Sequence, residues 1–220
     1  MPTATLEEYL ETIYKLAQKG AVRPTQVADS IGVSGPTVTA TLRRLETQGL
    51  VERTPDGGVL LSDDGLRSAL DIVRRHRIAE RFLVDVLGLD IGEAHEDACL
   101  LEHALSPRVL LALEQYLDSP EVCPHGYPIP ASDGSVAAVN GRPLSDLVQG
   151  ESAVVLQIAE DDDAVLSYLA SLGLLPGTKV TVLETAPFGG PLVVEVGDSR
   201  PALAREIAAL VLVNSPGPGS

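Results

Sequence analysis

The chain has 220 residues, enough for one large domain or two to three small ones. Hydrophobic residues make up 45% and aromatics only 3%, with no Trp, so its cores must be built from Leu, Val, Ile and Ala. The net charge of −15 argues against nucleic-acid binding unless the charge is segregated along the chain. Two Cys are too few for a disulfide scaffold. No run approaches the roughly 18 apolar residues of a spanning helix, and the first residues carry no basic or apolar signal region. A cytoplasmic protein without membrane association is expected.

In chain order, Leu6, Leu10, Ile13, Tyr14 and Leu16 form the apolar stripe of a first helix. Thr25 has the chemistry of an N-cap for a second helix carrying Val27, Ala28 and Ile31. Gly32 to Pro36 breaks it, and Val38, Leu42 and Leu45 are in phase on a third helix that ends at Gly49. Two β-prone runs, 50–54 and 59–62, flank Pro55-Asp56-Gly57-Gly58 and read as a hairpin. Helices closed by a hairpin describe a winged helix-turn-helix, whose second motif helix enters the major groove; a generic small α+β domain is the alternative. Ser34 at the N-cap of that helix, with Thr37, Thr39 and Thr41, supplies small donors for phosphates and base edges. Residues 19–53 hold five basic against three acidic side chains. The DNA-facing segment is therefore positive, and the objection from net charge falls.

Residues 64–118 read as further helices, the apolar face around Phe82 ending at Gly88, then Glu93–Leu105, then a helix begun by Ser106-Pro107. Their apolar surface exceeds one domain's needs and predicts a helix-packed homodimer. Residues 119–150 are rich in Pro, Gly, Ser and Asp and read as a linker. Alternating runs at 153–158, 179–183 and 191–196, with one short helix at 163–172, predict a small β-barrel. The expected architecture is mainly α with β: a winged helix-turn-helix domain over 1–73, a helical domain over 74–140, a linker over 141–150 and a β-barrel over 151–216.

The chemistry concentrates in the middle zone. His95, Cys99, Glu102 and His103 stand at i, i+4, i+7 and i+8 on one helix stripe, and His76 and Glu80 are an i, i+4 pair on the helix before. Imidazole, thiolate and carboxylate are ligands of divalent transition metals. Cys123 and His125 sit in the Pro-rich segment, where backbone turning accounts for them. Glu7 and Glu11 read as solvent-facing unless a metal draws Glu11 in. The acidic run 160–163 reads as a solvated helix N-terminus. No nucleophile elbow, phosphate loop or zinc-hydrolase motif is present, so no enzyme activity is expected.

These motifs together resemble the diphtheria-toxin-repressor family of iron- and manganese-dependent transcriptional regulators, over nearly the whole chain. Ser34-Gly35-Pro36-Thr37-Val38, with Leu45-Glu46 and Gly49-Leu50-Val51, is similar to the family's recognition helix. His76-Arg77-Ile78-Ala79-Glu80-Arg81-Phe82-Leu83, Gly88-Leu89-Asp90, His95-Glu96-Asp97-Ala98-Cys99 and Glu102-His103 resemble its metal-binding helices. Pro124-His125-Gly126-Tyr127-Pro128-Ile129-Pro130 resembles its interdomain signature. Leu172 to Gly177 and Ala186 to Pro191 resemble the SH3-like domain shared with ferrous-iron-transport accessory proteins.

The resemblance implies two metal sites per subunit. Cys99, Glu102 and His103 with Glu8 would form the activating site; His76, Glu80 and His95 would form the ancillary site, completed from the SH3-like domain by Asp162. Val165, at the second such position, cannot ligate. Glu8 and Glu11 match the manganese type and Cys99 the iron type; the hard carboxylate at Glu8 selects Mn²⁺ over Fe²⁺. Thr25, Ser34, Pro36, Thr37, Thr39, Arg43 and Arg44 would contact duplex DNA, and Ala40 stands where iron-dependent relatives carry Gln. The expected function is a Mn²⁺-activated homodimeric repressor of metal-uptake genes acting at a palindromic operator. The alternatives are an Fe²⁺-dependent repressor, a winged-helix sensor of a small organic ligand, and a metal buffer or chaperone without DNA function.

Overall fold

In the computed structural model, residues 3–17, 20–159 and 163–214 are described. Asp162 lies outside them. The chain divides into two compact units: residues 1–76, 102–105 and 130–135 form one, and residues 77–101, 106–129 and 136–220 the other.

The first unit opens with α1 (Ala4–Ala17), α2 (Pro24–Ile31) and α3 (Gly35–Thr47), followed by β1 (Val51–Arg53) and β2 (Val59–Leu61). Leu6, Leu10 and Ile13 of α1, Val27 of α2 and Val38, Leu42 and Leu45 of α3 share one core with Val51 and Val59 of the hairpin. Each fully buried Leu or Ile contributes about 1.5–3 kcal/mol to holding the helices at fixed angles. β1 and β2 pair antiparallel with Val51 opposite Leu61, and Val22 bridges to Val59, so the wing is tied to the start of α2. Thr25 does not cap α2: Pro24 takes the first helical position, where its missing N–H costs nothing, and Arg23 is the N-cap, its N–H donating to Gln26 Oε1 at 2.8 Å. Ser34 is the N-cap of α3, its hydroxyl hydrogen-bonded to Thr37 Oγ1 at 2.8 Å rather than to the backbone. Helix α4 (Asp63–Asp85) begins against this core, and at Gly65 a Cβ would stand 1.8 Å from the Leu50 carbonyl oxygen, so only glycine admits that approach.

The second unit holds the rest of α4, α5 (Glu93–Glu102) up to Leu101, α6 (Pro107–Tyr116) and a β-rich domain. Ser106 caps α6 by accepting the Val109 N–H. The β-rich domain contains β3 (Gly141–Pro143), β4 (Ser152–Ile158), α7 (Asp163–Ser171), β5 (Lys179–Thr185), β6 (Leu192–Val196), β7 (Ala202–Leu203), α8 (Arg205–Ala208) and β8 (Val211–Asn214). Its six strands are antiparallel in the order β3-β8-β4-β5-β6-β7. Residues 141–150 are therefore not a linker. β3 pairs Arg142 with Val213, and the following 3-10 turn buries Leu144 and Leu147 in the barrel core. Ile91, between α4 and α5, enters the same core, as does the partly buried Val165.

The Pro-rich segment is anchored too. Gly126 has φ +89°, and a Cβ there would lie 1.9 Å from the Leu156 carbonyl oxygen. The His125 carbonyl accepts the Ile158 N–H at 3.0 Å. The Cys123–Tyr127 turn thus lies directly on β4.

Candidate functional site

Helix phase decides which carboxylates of α1 face inward. At 100° per residue, Glu7 and Glu11 share a face with each other and follow the buried Leu6 and Leu10. Both are buried, whereas Glu8, one step round, is exposed. Glu8, expected from the resemblance as the α1 donor, is exposed and stands outside the gathered donor sets, while the solvent-facing reading of Glu7 and Glu11 is corrected, since both are buried.

In the first unit, donor atoms of Glu11, His76 and Glu102 all lie within 4.8 Å of one another, and all three residues are buried. His76 Nδ1 is 2.7 Å from Glu102 Oε2, and His103 Nε2 is 3.2 Å from Glu102 Oε1. Burial pushes the Glu102 carboxyl above its usual range, reinforced by the Glu11 charge and opposed by the hydrogen bond from His76. Burial also pushes Glu11 up, but Lys15, 3.1 Å away, and His76 overcome it and leave Glu11 below its usual range. Two carboxylates and an imidazole gathered out of water are stabilised by a cation between them, since metal binding and ligand deprotonation are coupled. The residues present fit a divalent metal, and the set is oxygen and nitrogen only.

The second unit gathers a different set. Glu80, Cys123 and His125 lie within 4.8 Å of one another and are fully buried. His125 Nδ1 is 3.5 Å from Glu80 Oε2 and 3.8 Å from Cys123 Sγ. Glu80 Oε1 is 3.1 Å from His95 Nδ1, and His95 Nε2 is 3.8 Å from Cys99 Sγ. Buried His125 Nε2 has no hydrogen-bond partner among the described residues, a costly state for a ring nitrogen and one that a metal relieves. Besides the backbone turning expected of this segment, its Cys123 and His125 side chains meet Glu80 in a buried donor set. The signal was present as a Cys-Pro-His run, but only tertiary structure supplies its third donor, Glu80.

The residues expected to face DNA lie on or beside α2 and α3. Ser34, Pro36, Thr37, Thr39, Ala40, Arg43 and Arg44 are exposed on α3, and Thr25 is exposed on α2. Thr41 is buried and cannot reach DNA. Thr39 Oγ1 donates to the Gly35 carbonyl at 3.0 Å, leaving its methyl and lone pairs outward. Among the described residues, neither Arg43 nor Arg44 has a carboxylate in ion-pair range, so both charges are available for phosphates. On the second unit, Phe82, Val86, Val109, Ala112, Leu113 and Tyr116 line an open apolar groove of about 450 Å³ between α4 and α6.

Comparison with known proteins matches three family models in series. Residues 1–59 match the iron dependent repressor N-terminal DNA binding domain, 62–131 the iron dependent repressor metal binding and dimerisation domain, and 142–215 the FeoA domain. The iron-dependent repressor IdeR of Mycobacterium leprae is 36% identical over 95% of this chain and 96% of its own length. A manganese-dependent transcriptional repressor, solved in complex with manganese, superposes with a TM-score of 0.85 at 36% identity, covering 96% of this chain and 99% of that one. The repressor ScaR with bound Cd²⁺ gives a TM-score of 0.78 at 32% identity, covering 95% and 98%. With the helix-turn-helix, the buried donor sets and the SH3-like barrel in one order along the chain, these matches establish that the protein belongs to the diphtheria-toxin-repressor family of iron- and manganese-dependent transcriptional repressors.

Proposed function

We propose that the protein is a Mn²⁺-activated repressor of metal-uptake genes, in which Glu11, His76 and Glu102, with His103 beside them, hold the activating ion. The observation carrying this reading is the buried donor set Glu11, His76 and Glu102, which contains two carboxylates and no thiolate. The site within the DNA-binding unit offers carboxylate and imidazole alone, the ligand chemistry that suits Mn²⁺. The thiolates belong to the other unit, where Glu80, Cys123 and His125, near His95 and Cys99, form a second site better suited to Fe²⁺, Co²⁺ or Zn²⁺.

A metal activates only through differential affinity for the DNA-competent state. Glu11 lies on α1, whose other face is core to the helix-turn-helix, while His76 and Glu102 come from α4 and α5. An ion bound by all three fixes α1 against the middle of α4 and the end of α5 and thereby restricts where α3 can point. Two copies joined through the α4–α6 groove present two α3 helices to a palindromic duplex, with half-sites about one helical turn apart or a multiple of it. Fluorescence anisotropy with promoter duplexes, titrated anaerobically with Mn²⁺ and with Fe²⁺ at fixed salt, tests the proposal. Tighter duplex binding at lower free Mn²⁺ than Fe²⁺ supports it; equal activation by both ions, or duplex binding indifferent to metal, overturns it.

A further inference from the structure

Glu7 is absent from the donor sets gathered among the described residues, yet its carboxylate is buried and engaged at both oxygens. Oε2 lies 2.8 Å from His103 Nδ1, and Oε1 lies 3.3 Å from Arg75 Nη2. A carboxylate paired with a guanidinium is an acceptor, so the hydrogen of the contact with His103 sits on Nδ1. The lone pair of the neutral ring is then on Nε2, the nitrogen that faces Glu102 Oε1 at 3.2 Å. Arg75 completes the frame. Its Nη1 donates to the Glu102 carbonyl at 2.8 Å, and its Nη2 also meets Asp71 at 3.1 Å. One guanidinium therefore holds Glu7 in place and fixes the backbone that carries Glu102 and His103.

We infer that Glu7 is a positioning residue, which fixes the His103 tautomer with Nδ1 protonated and turns Nε2 toward the ion held by Glu11, His76 and Glu102. A carboxylate on the far nitrogen of a ligating histidine orients the ring and raises its basicity, and loss of such a partner typically weakens metal binding about 10–100-fold. Through this bond α1 meets the metal centre twice, by Glu11 directly and by Glu7 through His103. The inference rests on the proposed metal centre.

The test uses the full-length protein with isotope-labelled histidine, loaded with the NMR-active isotope of Cd²⁺. In the wild type, one-bond cadmium–nitrogen coupling is expected at His103 Nε2, with Nδ1 protonated. In Glu7→Gln, whose amide can donate or accept, the coupling is expected to split between the two ring nitrogens, and Cd²⁺ and Mn²⁺ affinity to fall about 10–100-fold. Asp71→Asn, which removes the exposed partner of Arg75, should leave the tautomer as it is. Coupling through Nδ1 in the wild type overturns the inference whether or not the variant folds, and so does unchanged coupling and affinity in Glu7→Gln. Cadmium coupling to neither His76 nor His103 would instead overturn the metal centre itself.

Discussion

Replacing Gly126 by Ala tests whether the turn bearing Cys123 and His125 depends on its seat against β4. Two terms oppose the substitution. A non-glycine residue at φ +89° costs roughly 1–2 kcal/mol. The new Cβ also lies 1.9 Å from the Leu156 carbonyl oxygen, a backbone atom that cannot rotate away. Restoring ordinary contact means lifting the turn by well over an ångström, which breaks the 3.0 Å bond from Ile158 N–H to the His125 carbonyl and leaves buried groups unpaired, a further cost of about 1–3 kcal/mol. Gly150 is the internal control: its φ is +88°, but a Cβ there meets nothing within 4 Å. Gly150→Ala should therefore lose only the conformational term, roughly 1–2 kcal/mol, and Gly126→Ala roughly 2–5 kcal/mol in total. Urea melts monitored by circular dichroism in the presence of chelator give the difference. Equilibrium dialysis with Co²⁺ should show that Gly126→Ala alone loses the thiolate-to-metal absorption of the second site. Equal destabilisation by the two variants, with that absorption intact in both, would refute the reasoning.

Further outcomes follow from the first site and the interfaces. Because the Glu102 carboxyl is held above its usual range, its ionisation opposes folding: its contribution is full below the ordinary carboxylate pKa of 4.5 and is lost as pH rises through the raised value. Glu102→Gln should thus flatten that part of the metal-free stability–pH curve, raise stability at neutral pH and abolish Mn²⁺-dependent duplex binding. Glu11→Gln should weaken Mn²⁺ binding by calorimetry far more than Glu8→Gln, because Glu11 is buried in the donor set and Glu8 is exposed. Arg43→Ala and Arg44→Ala should each weaken all duplexes similarly and make the salt slope of anisotropy titrations shallower by roughly one unit. Leu113→Asp in the apolar groove should leave a monomer by light scattering and weaken palindrome binding without changing Mn²⁺ affinity.

Much of this protein follows from local rules that act within a turn or two of chain. Apolar phase over Leu6–Ile13 and Val38–Leu45, the Ser106 cap, and the turn at Asp56-Gly57 are dictated by 3.6- and 2-residue periodicity and by local side-chain and backbone hydrogen bonds. The stripe of donors on α5 is legible for the same reason, and with the ordered motifs it suffices to place the chain in its family.

What the sequence left undecided is what depends on partners far along the chain. Periodicity fixes that Glu7 and Glu11 share a face, but not that this face meets Glu102 and His103 rather than water. Residues 141–150 carry linker composition, yet β3 finds its hydrogen bonds on β8, and Leu144 and Leu147 find their core in strands that come later. Cys123 and His125 needed Glu80 from another helix to become a donor set. That Glu11 joins His76 and Glu102 in one buried donor set is likewise a matter of tertiary structure. Buried charge is tolerated only where opposite or ligating groups converge in space, and spacing along a chain does not encode that convergence.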